Sequence, residues 1–164
     1  MLKILGSFMI IAAGTLAGLN VSCGYKQKML LHKKLVRLYS ETAIMLEYSF
    51  PTFAEIIEHL RSCGEYSEFG FLYKSTDGID IKSSVLGAVD SWDTGLESSS
   101  KSELRAFFSR LGTTDIQGQI AYARLAAASE QGFIDSVSEK YRQRAKMSRT
   151  FGVLGGVFAA IMIV

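Results

Sequence analysis

Both ends of the chain are uncharged and mostly apolar, and each borders a cluster of basic residues. Residues 4–25 contain no charged residue, and neither do the last fifteen, residues 150–164. Five bases follow the first stretch within residues 26–37, and five precede the second within residues 139–149. Lysine and arginine flank membrane segments because they remain at the interface while the apolar residues enter the lipid. The pattern predicts a membrane segment at each end.

The two stretches differ in length, which leaves alternatives open. As an α-helix, residues 4–25 would measure about 33 Å against a hydrocarbon thickness of about 30 Å. A cleaved signal peptide usually has a more basic start and a shorter apolar part, so an uncleaved anchor is favoured. A lipoprotein signal ending at Cys23 is a rival, but Asn20 stands where such signals carry a leucine-like residue. Residues 150–164 would reach only about 22 Å and could instead form a buried core helix.

Small residues recur at intervals of four in both apolar stretches. Gly14 and Gly18 lie in the first, and Gly152 and Gly156 lie in the second. Because this spacing lets membrane helices approach closely, we predict that the four glycines pack the two segments together. The basic clusters follow the first segment and precede the second, so both border the middle of the chain. The positive-inside rule therefore places residues 26–149 in the cytoplasm and both termini across the membrane.

The middle of the chain shows helical periodicity and no convincing strand. A single proline among 164 residues also favours long uninterrupted helices. We therefore predict an all-α fold in which two terminal membrane helices continue into a cytoplasmic helical bundle. The predicted parts are an N-terminal transmembrane helix at 1–25, a cytoplasmic helical domain at 26–149 and a C-terminal membrane segment at 150–164.

Two apolar seams predict a long antiparallel stalk within that domain. In both seams, apolar or small residues recur at steps of four and three, which is the spacing of a coiled coil. The second seam is interrupted once, at Glu130. The predicted seam residues are Leu31, Leu35 and Leu38 in the first helix and Ile116, Ile120, Ala123, Ala127, Ile134 and Val137 in the last. Shorter helices would form a bundle at the cytoplasmic end of the stalk.

Glycine and proline positions suggest where these shorter helices begin and end. Pro51 suits the first turn of "PTFAEIIEHLRSC", and Gly64 would end that helix. "EYSEFGFLYKS" is predicted as one short helix closed by the turn "TDG", and "DIKSSVLGAVDSW" as another. Gly112 would end "SKSELRAFFSRL", after which Thr114 or Asp115 would cap the next helix.

Residue types suited to catalysis or metal binding are few and scattered. His32 lies among the bases, and His59 follows Glu55 at i, i+4, a spacing far commoner on a solvated helix face than in a metal site. Cys23 and Cys63 form no CxxC motif and are expected to be buried, unreactive thiols. No HExxH, GxSxG, GxGxxG or phosphate-binding loop is present. We expect no catalytic residue, no cofactor and no metal.

The segregation of charge suggests the kind of partner. Residues 38–138 hold fifteen acids against seven bases, a balance of −8, although the whole chain carries +2. A nucleic-acid-binding protein would be expected to carry its bases on the folded part, so nucleic acid is not the expected partner. An acidic helical domain is better suited to a protein partner with a basic face.

Several short motifs occur in an order that resembles a known family. They are the opening "MLKILG", the basic run after the first apolar stretch, "LRAFFSRLGTTD" before a long helix, and the uncharged end. The "LGTTD" stretch fits an LGxxD pattern, and Trp92 and Pro51 lie where the family has Trp and Pro. The chain resembles the stage III sporulation protein AB family of endospore-forming bacteria. It departs from the family in Phe50 and Thr52, where Thr-Pro-Leu is usual, and in Phe108, where glycine is usual.

This resemblance implies a specific role. The cytoplasmic domain of the family is similar to the F domain of type II secretion and type IV pilus platform proteins. The family member would lie in the mother-cell membrane facing the forespore and couple a cytosolic secretion-type ATPase, similar to stage III sporulation protein AA, to the other subunits of the channel complex. The alternatives are a membrane-tethered coiled-coil scaffold unrelated to secretion and an enzyme of unknown type.

Overall fold

Helices account for all the regular secondary structure in the described part of the chain. The computed structural model describes residues 2–74, 80–93 and 95–163. The helices are α1 (Leu2–Tyr48), α2 (Phe53–Ser62), a 3-10 turn (Gly64–Tyr66), α3 (Gly70–Lys74), α4 (Ile81–Ser91), α5 (Ser98–Arg110) and α6 (Ile116–Ile163). The prediction of an all-α protein is confirmed.

The chain forms two compact units, and each has its own charge. The first, here called the bundle, is Leu31–Phe133, and the second, here called the terminal unit, combines Met1–Leu30 with Ile134–Val164. Fourteen acids and ten bases lie in the bundle sequence, whereas the terminal unit has two acids and eight bases. The division of the chain therefore separates an acidic part from a strongly basic one.

Within the bundle, the end of α1 runs antiparallel to the start of α6. His32 of α1 contacts Glu130 of α6, and Glu47, further along α1, accepts a hydrogen bond from Arg124, which lies earlier in α6 (2.6 Å). The predicted seam residues lie along this pairing. Leu35, Leu38, Ile120 and Ala123 are buried, and Leu31, Ile116 and Ala127 are half-buried against the same core.

Aromatic side chains form the centre of the bundle and hold the short helices to the long ones. Phe71 meets Trp92 at a ring-centroid distance of 5.0 Å and Phe108 at 5.6 Å, both edge to face. Phe107 meets Tyr39 of α1 edge to face at 4.7 Å. Such pairs contribute about 0.5–1.5 kcal/mol each beyond the burial of their area. This aromatic core therefore joins α1, α3 and α5.

The start of α2 differs from the sequence prediction. The helix begins at Phe53, and Pro51 precedes it rather than occupying its first turn. Thr52 is the N-cap, because its hydroxyl accepts a hydrogen bond from the Glu55 amide while the Glu55 carboxylate accepts one from the Thr52 amide (2.7 Å). This reciprocal capping box fixes the helix start one residue after the threonine. The helix ends at Ser62, before the predicted Gly64.

The segment between α2 and α4 was predicted as a single helix, and that prediction is wrong. It forms the 3-10 turn Gly64–Tyr66 and the five-residue helix α3 instead. Tyr66, Phe69 and Phe71 are all fully buried, a spacing that one straight α-helix cannot direct toward one face. The predicted "TDG" turn lies outside the described residues.

The terminal unit consists of the first part of α1 and the last part of α6. Tyr25 and Tyr141 are in ring contact at 5.9 Å, beside a groove of about 550 Å³ that Lys26, Arg142 and Lys146 also line. Ile134 is buried and Val137 is half-buried, but Cys23 is exposed, so its predicted burial is wrong.

Two further predictions concern the hydropathy of this unit and the packing of its glycines. In the portion of the chain that the structure describes, no helix combines the length and apolar character needed to cross a membrane. The surroundings of the four predicted packing glycines, Gly14, Gly18, Gly152 and Gly156, lie outside what the structure describes.

Candidate functional site

A polar cluster lies where side chains of α1 and α2 meet in the bundle. His59 and Cys63 are one helical turn apart on α2 and its C-cap, so both can face Glu41 of α1. His59 Nε2 lies 2.8 Å from Glu41 Oε1, and Cys63 Sγ lies 3.7 Å from each of these two atoms. The Tyr66 hydroxyl donates a hydrogen bond to Glu41 Oε2. These four residues are the Glu41 cluster.

Burial and hydrogen bonding set the protonation states in the Glu41 cluster. Burial by itself raises the pKa of Glu41, but hydrogen bonds from Tyr66 and His59 outweigh it, so the pKa is lowered. Burial and the nearby Glu41 charge raise the pKa of the Cys63 thiol. The cluster at neutral pH thus contains a carboxylate and a protonated thiol. Solvent reaches it, because the His59 side chain is 42% exposed.

The carboxylate beside His59 is not that of Glu55, its i, i+4 neighbour in the sequence. Glu55, four residues before it, is occupied by the N-cap of α2, and the carboxylate beside His59 comes from Glu41, eighteen residues earlier. The local signal was the i, i+4 spacing of His59 on α2 and Cys63 at its C-cap, which places two ligand-type side chains on one face.

A second polar contact is completely buried. The side chains of His32 and Glu130 are each 1% exposed, and His32 Nδ1 contacts Glu130 Oε1. The Ser100 hydroxyl donates a longer hydrogen bond to the same oxygen (3.4 Å), and the His32 ring packs against Phe133 at 4.8 Å. The residue that interrupts the apolar seam is therefore part of a buried pair joining α1 to α6.

The predicted turn residues connect α5 to α6. Gly112 has a positive φ of 74°, and its amide donates a hydrogen bond to Gln119 Oε1 (2.9 Å). The Gln119 side chain in turn donates to the Thr114 carbonyl (2.7 Å), and the Asp115 carboxylate accepts from the Gly118 amide (3.4 Å) at the start of α6. Gly112, Thr114 and Asp115 thus shape the turn, and Asp115 provides the cap.

Substituting alanine for Gly112 should destabilise the protein through its backbone alone. A Cβ at this position would meet no heavy atom of the other described residues within 4 Å, so the expected loss of about 1–2 kcal/mol comes from the left-handed conformation. Gly87 is the matched control, since it lies inside α4 with equal space around it, and Gly87→Ala should stabilise by up to about 1 kcal/mol. Urea titrations followed by circular dichroism measure both. Equal effects of the two substitutions would contradict the turn geometry.

Ion pairs between a helix and another helix or turn use several of the bundle's bases. They are Lys34–Glu68, Arg37–Glu65, Arg105–Asp90 and Arg124–Glu47, with nitrogen–oxygen distances of 2.6–3.0 Å. Surface pairs of this kind add little stability, typically about 0–1 kcal/mol each. Their consequence is electrostatic: because bases are paired within the bundle, its acidic surplus remains for interactions with other molecules.

The fold and these contacts define an all-helical bundle protein whose first and last helices extend into apolar, base-flanked ends. The sequence model of stage III sporulation protein AB matches residues 3–164, and the chain belongs to this family. Membership confirms the resemblance inferred from the motifs and implies a role in stage III sporulation; the family is not a known enzyme family. No curated protein and no solved structure is significantly similar to the chain.

Proposed function

We propose that the chain is a non-enzymatic membrane adaptor of the sporulation channel complex between mother cell and forespore. The terminal unit would anchor it in the mother-cell membrane. The bundle would face the cytoplasm, resemble a secretion F domain, and couple a cytosolic secretion-type ATPase to the other subunits. Family membership supports the sporulation stage, and the remaining steps are the proposal.

The separation of charge between the two units is the observation that carries this proposal. The terminal unit has eight bases and two acids, and its bases lie next to the uncharged residues 4–25 and 150–164. Cations in that position are attracted to the anionic cytoplasmic leaflet, each contributing about 1 kcal/mol near the surface. The bundle has fourteen acids and ten bases, which favours a partner with a basic face.

Reporter fusions test the anchoring directly. Fusions at the N-terminus, at Gly95 between α4 and α5, and at the C-terminus should show only the middle reporter in the cytoplasm. Gly95 is exposed and lies between helices, so an insertion there should leave the bundle folded. A middle reporter on the non-cytoplasmic side of the membrane would contradict the proposal. So would a full-length protein that stays soluble without detergent.

Capture of the ATPase should depend on salt. The detergent-purified full-length chain is expected to retain the ATPase at low ionic strength and to lose most of it near 1 M salt, where the screening length falls to about 3 Å. Pull-down across a salt series measures this. Retention that does not change with salt would contradict the electrostatic contact, and no retention at any salt would contradict the partner.

The scaffold alternative gives a different result in the same assay. A protein that acts only through its two long helices should keep its partner when residues 52–110 are replaced by a short linker. An adaptor that docks the ATPase through the bundle should lose it. Circular dichroism of the shortened chain must show that the long helices persist.

A further inference from the structure

The Glu41 cluster has the ligand types and spacing of a metal site. Thiolate, imidazole and carboxylate are the three donor types that zinc takes in proteins, whereas magnesium and calcium prefer oxygen alone. Glu41, His59 and Cys63 each offer one such atom, and these atoms all lie within 4.8 Å of one another. Two of the three residues are held on α2 and its C-cap, and the third on α1.

The distances can be compared with a tetrahedral zinc ion. Bond lengths of about 2.3 Å to sulfur and about 2.0–2.1 Å to nitrogen and oxygen place the ligand atoms about 3.3–3.6 Å apart. Cys63 Sγ lies 3.7 Å from both His59 Nε2 and Glu41 Oε1, which agrees closely. The His59–Glu41 separation of 2.8 Å is a hydrogen bond, and it would widen by about half an ångström as the ion takes its place.

The surroundings also suit a bound ion. Tyr66 donates a hydrogen bond to Glu41 Oε2, so Oε1 is left to point at His59 and Cys63. Ligating carboxylates are commonly oriented by such a second hydrogen bond. The 42% exposure of His59 gives an ion access from solvent and leaves room for a water as fourth ligand.

We propose that Glu41, His59 and Cys63 bind one zinc-type divalent ion, with Tyr66 orienting the carboxylate. Binding releases the Cys63 proton to solvent, because the thiolate is the ligand form. The ion ties α2 to α1, so its effect on the protein is to stabilise that junction of the bundle. This site is independent of the proposed membrane and ATPase contacts and can be tested apart from them.

Cobalt(II) titration of the detergent-purified full-length chain tests the site. Cobalt replaces zinc in such sites and gives a thiolate charge-transfer band together with the visible bands of a tetrahedral ion. We expect one cobalt per chain, displaced by one equivalent of zinc. Cys63→Ser should remove the charge-transfer band, and His59→Gln and Glu41→Gln should each weaken binding at least tenfold. Tyr66→Phe should keep the band and weaken binding about tenfold, as for other groups that orient a ligand.

Matched controls separate this site from chance binding. Cys23→Ser removes the other, exposed cysteine, and Glu55→Gln removes the carboxylate one turn before His59, so both should bind as the unaltered chain does. A band that survives Cys63→Ser or vanishes in Cys23→Ser would overturn the proposal. The proposal would also be overturned if, after dialysis against the free ion, the chain retained less than a tenth of an equivalent of cobalt and of zinc.

A second measurement applies if a ligand variant does not fold, as circular dichroism would show. In the unaltered chain, zinc should slow the reaction of Cys63 with a thiol reagent at least tenfold and leave Cys23 unaffected. If Cys63 reacted at the same rate with and without zinc, the proposed site would be contradicted, and no substitution would be needed to show it.

Discussion

Replacing Glu130 by alanine should lower the free energy of unfolding by about 3–5 kcal/mol, which is the usual cost of removing one partner of a buried polar pair. Glu130 and His32 are each 1% exposed, so the histidine would remain buried without its carboxylate. Among the residues that the structure describes, none pairs with His32 Nε2, so the substitution leaves both ring nitrogens unsatisfied there. Urea titration of the full-length chain followed by circular dichroism measures the loss.

Two controls show whether burial is the cause. The double substitution His32→Leu and Glu130→Leu should recover most of the loss, because apolar residues of similar size often replace a buried pair without cost. Glu47→Ala breaks the exposed contact with Arg124 and should cost less than about 1 kcal/mol. A loss below 1 kcal/mol for Glu130→Ala itself would show that the pair is not buried in solution.

Phe71→Ala should destabilise the bundle by about 3–5 kcal/mol, because truncating a buried phenylalanine loses apolar burial and leaves a cavity. Phe71 is fully buried and packs edge to face on Trp92 and Phe108. The same urea titration measures this effect. Tyr48→Ala, at a side chain that is 77% exposed on α1, should change stability by no more than about 0.5 kcal/mol. If Phe71→Ala lowered the free energy of unfolding as little as Tyr48→Ala does, the aromatic core would contribute little to stability.

Local sequence signals were sufficient for most of the helices. Helix α4 lies between its N-cap Asp80 and its C-cap Trp92, which are the first and last residues of the predicted "DIKSSVLGAVDSW" segment. The Asp80 carboxylate accepts a hydrogen bond from the Ser83 amide at the helix start. Capping residues and apolar periodicity act within a few residues of where they appear, so they can be recognised without the fold. The prediction for the start of α2 was wrong because the capping box of Thr52 and Glu55, rather than Pro51, determines where the helix begins.

Contacts between residues distant in the sequence could not be predicted. Glu130 interrupts a seam, and no local pattern shows that His32, ninety-eight residues away, lies opposite it. The Glu41 cluster likewise depends on the position of α2 beside α1. Packing of the aromatic core determines that position, and the sequence of α2 alone does not. Polar residues at apolar positions are therefore where a sequence predicts least, since their partners come from other elements.

The chain's only tryptophan lies in the aromatic core, and this makes the bundle its own optical probe. Trp92 is 9% exposed and meets Phe69 edge to face at 5.5 Å. Indole emission shifts and changes intensity when its apolar surroundings are replaced by water. Because the chain has no other tryptophan, fluorescence excited at wavelengths that indole absorbs and tyrosine does not reports on these few side chains, and tyrosines of the terminal unit such as Tyr25 and Tyr141 do not contribute to it.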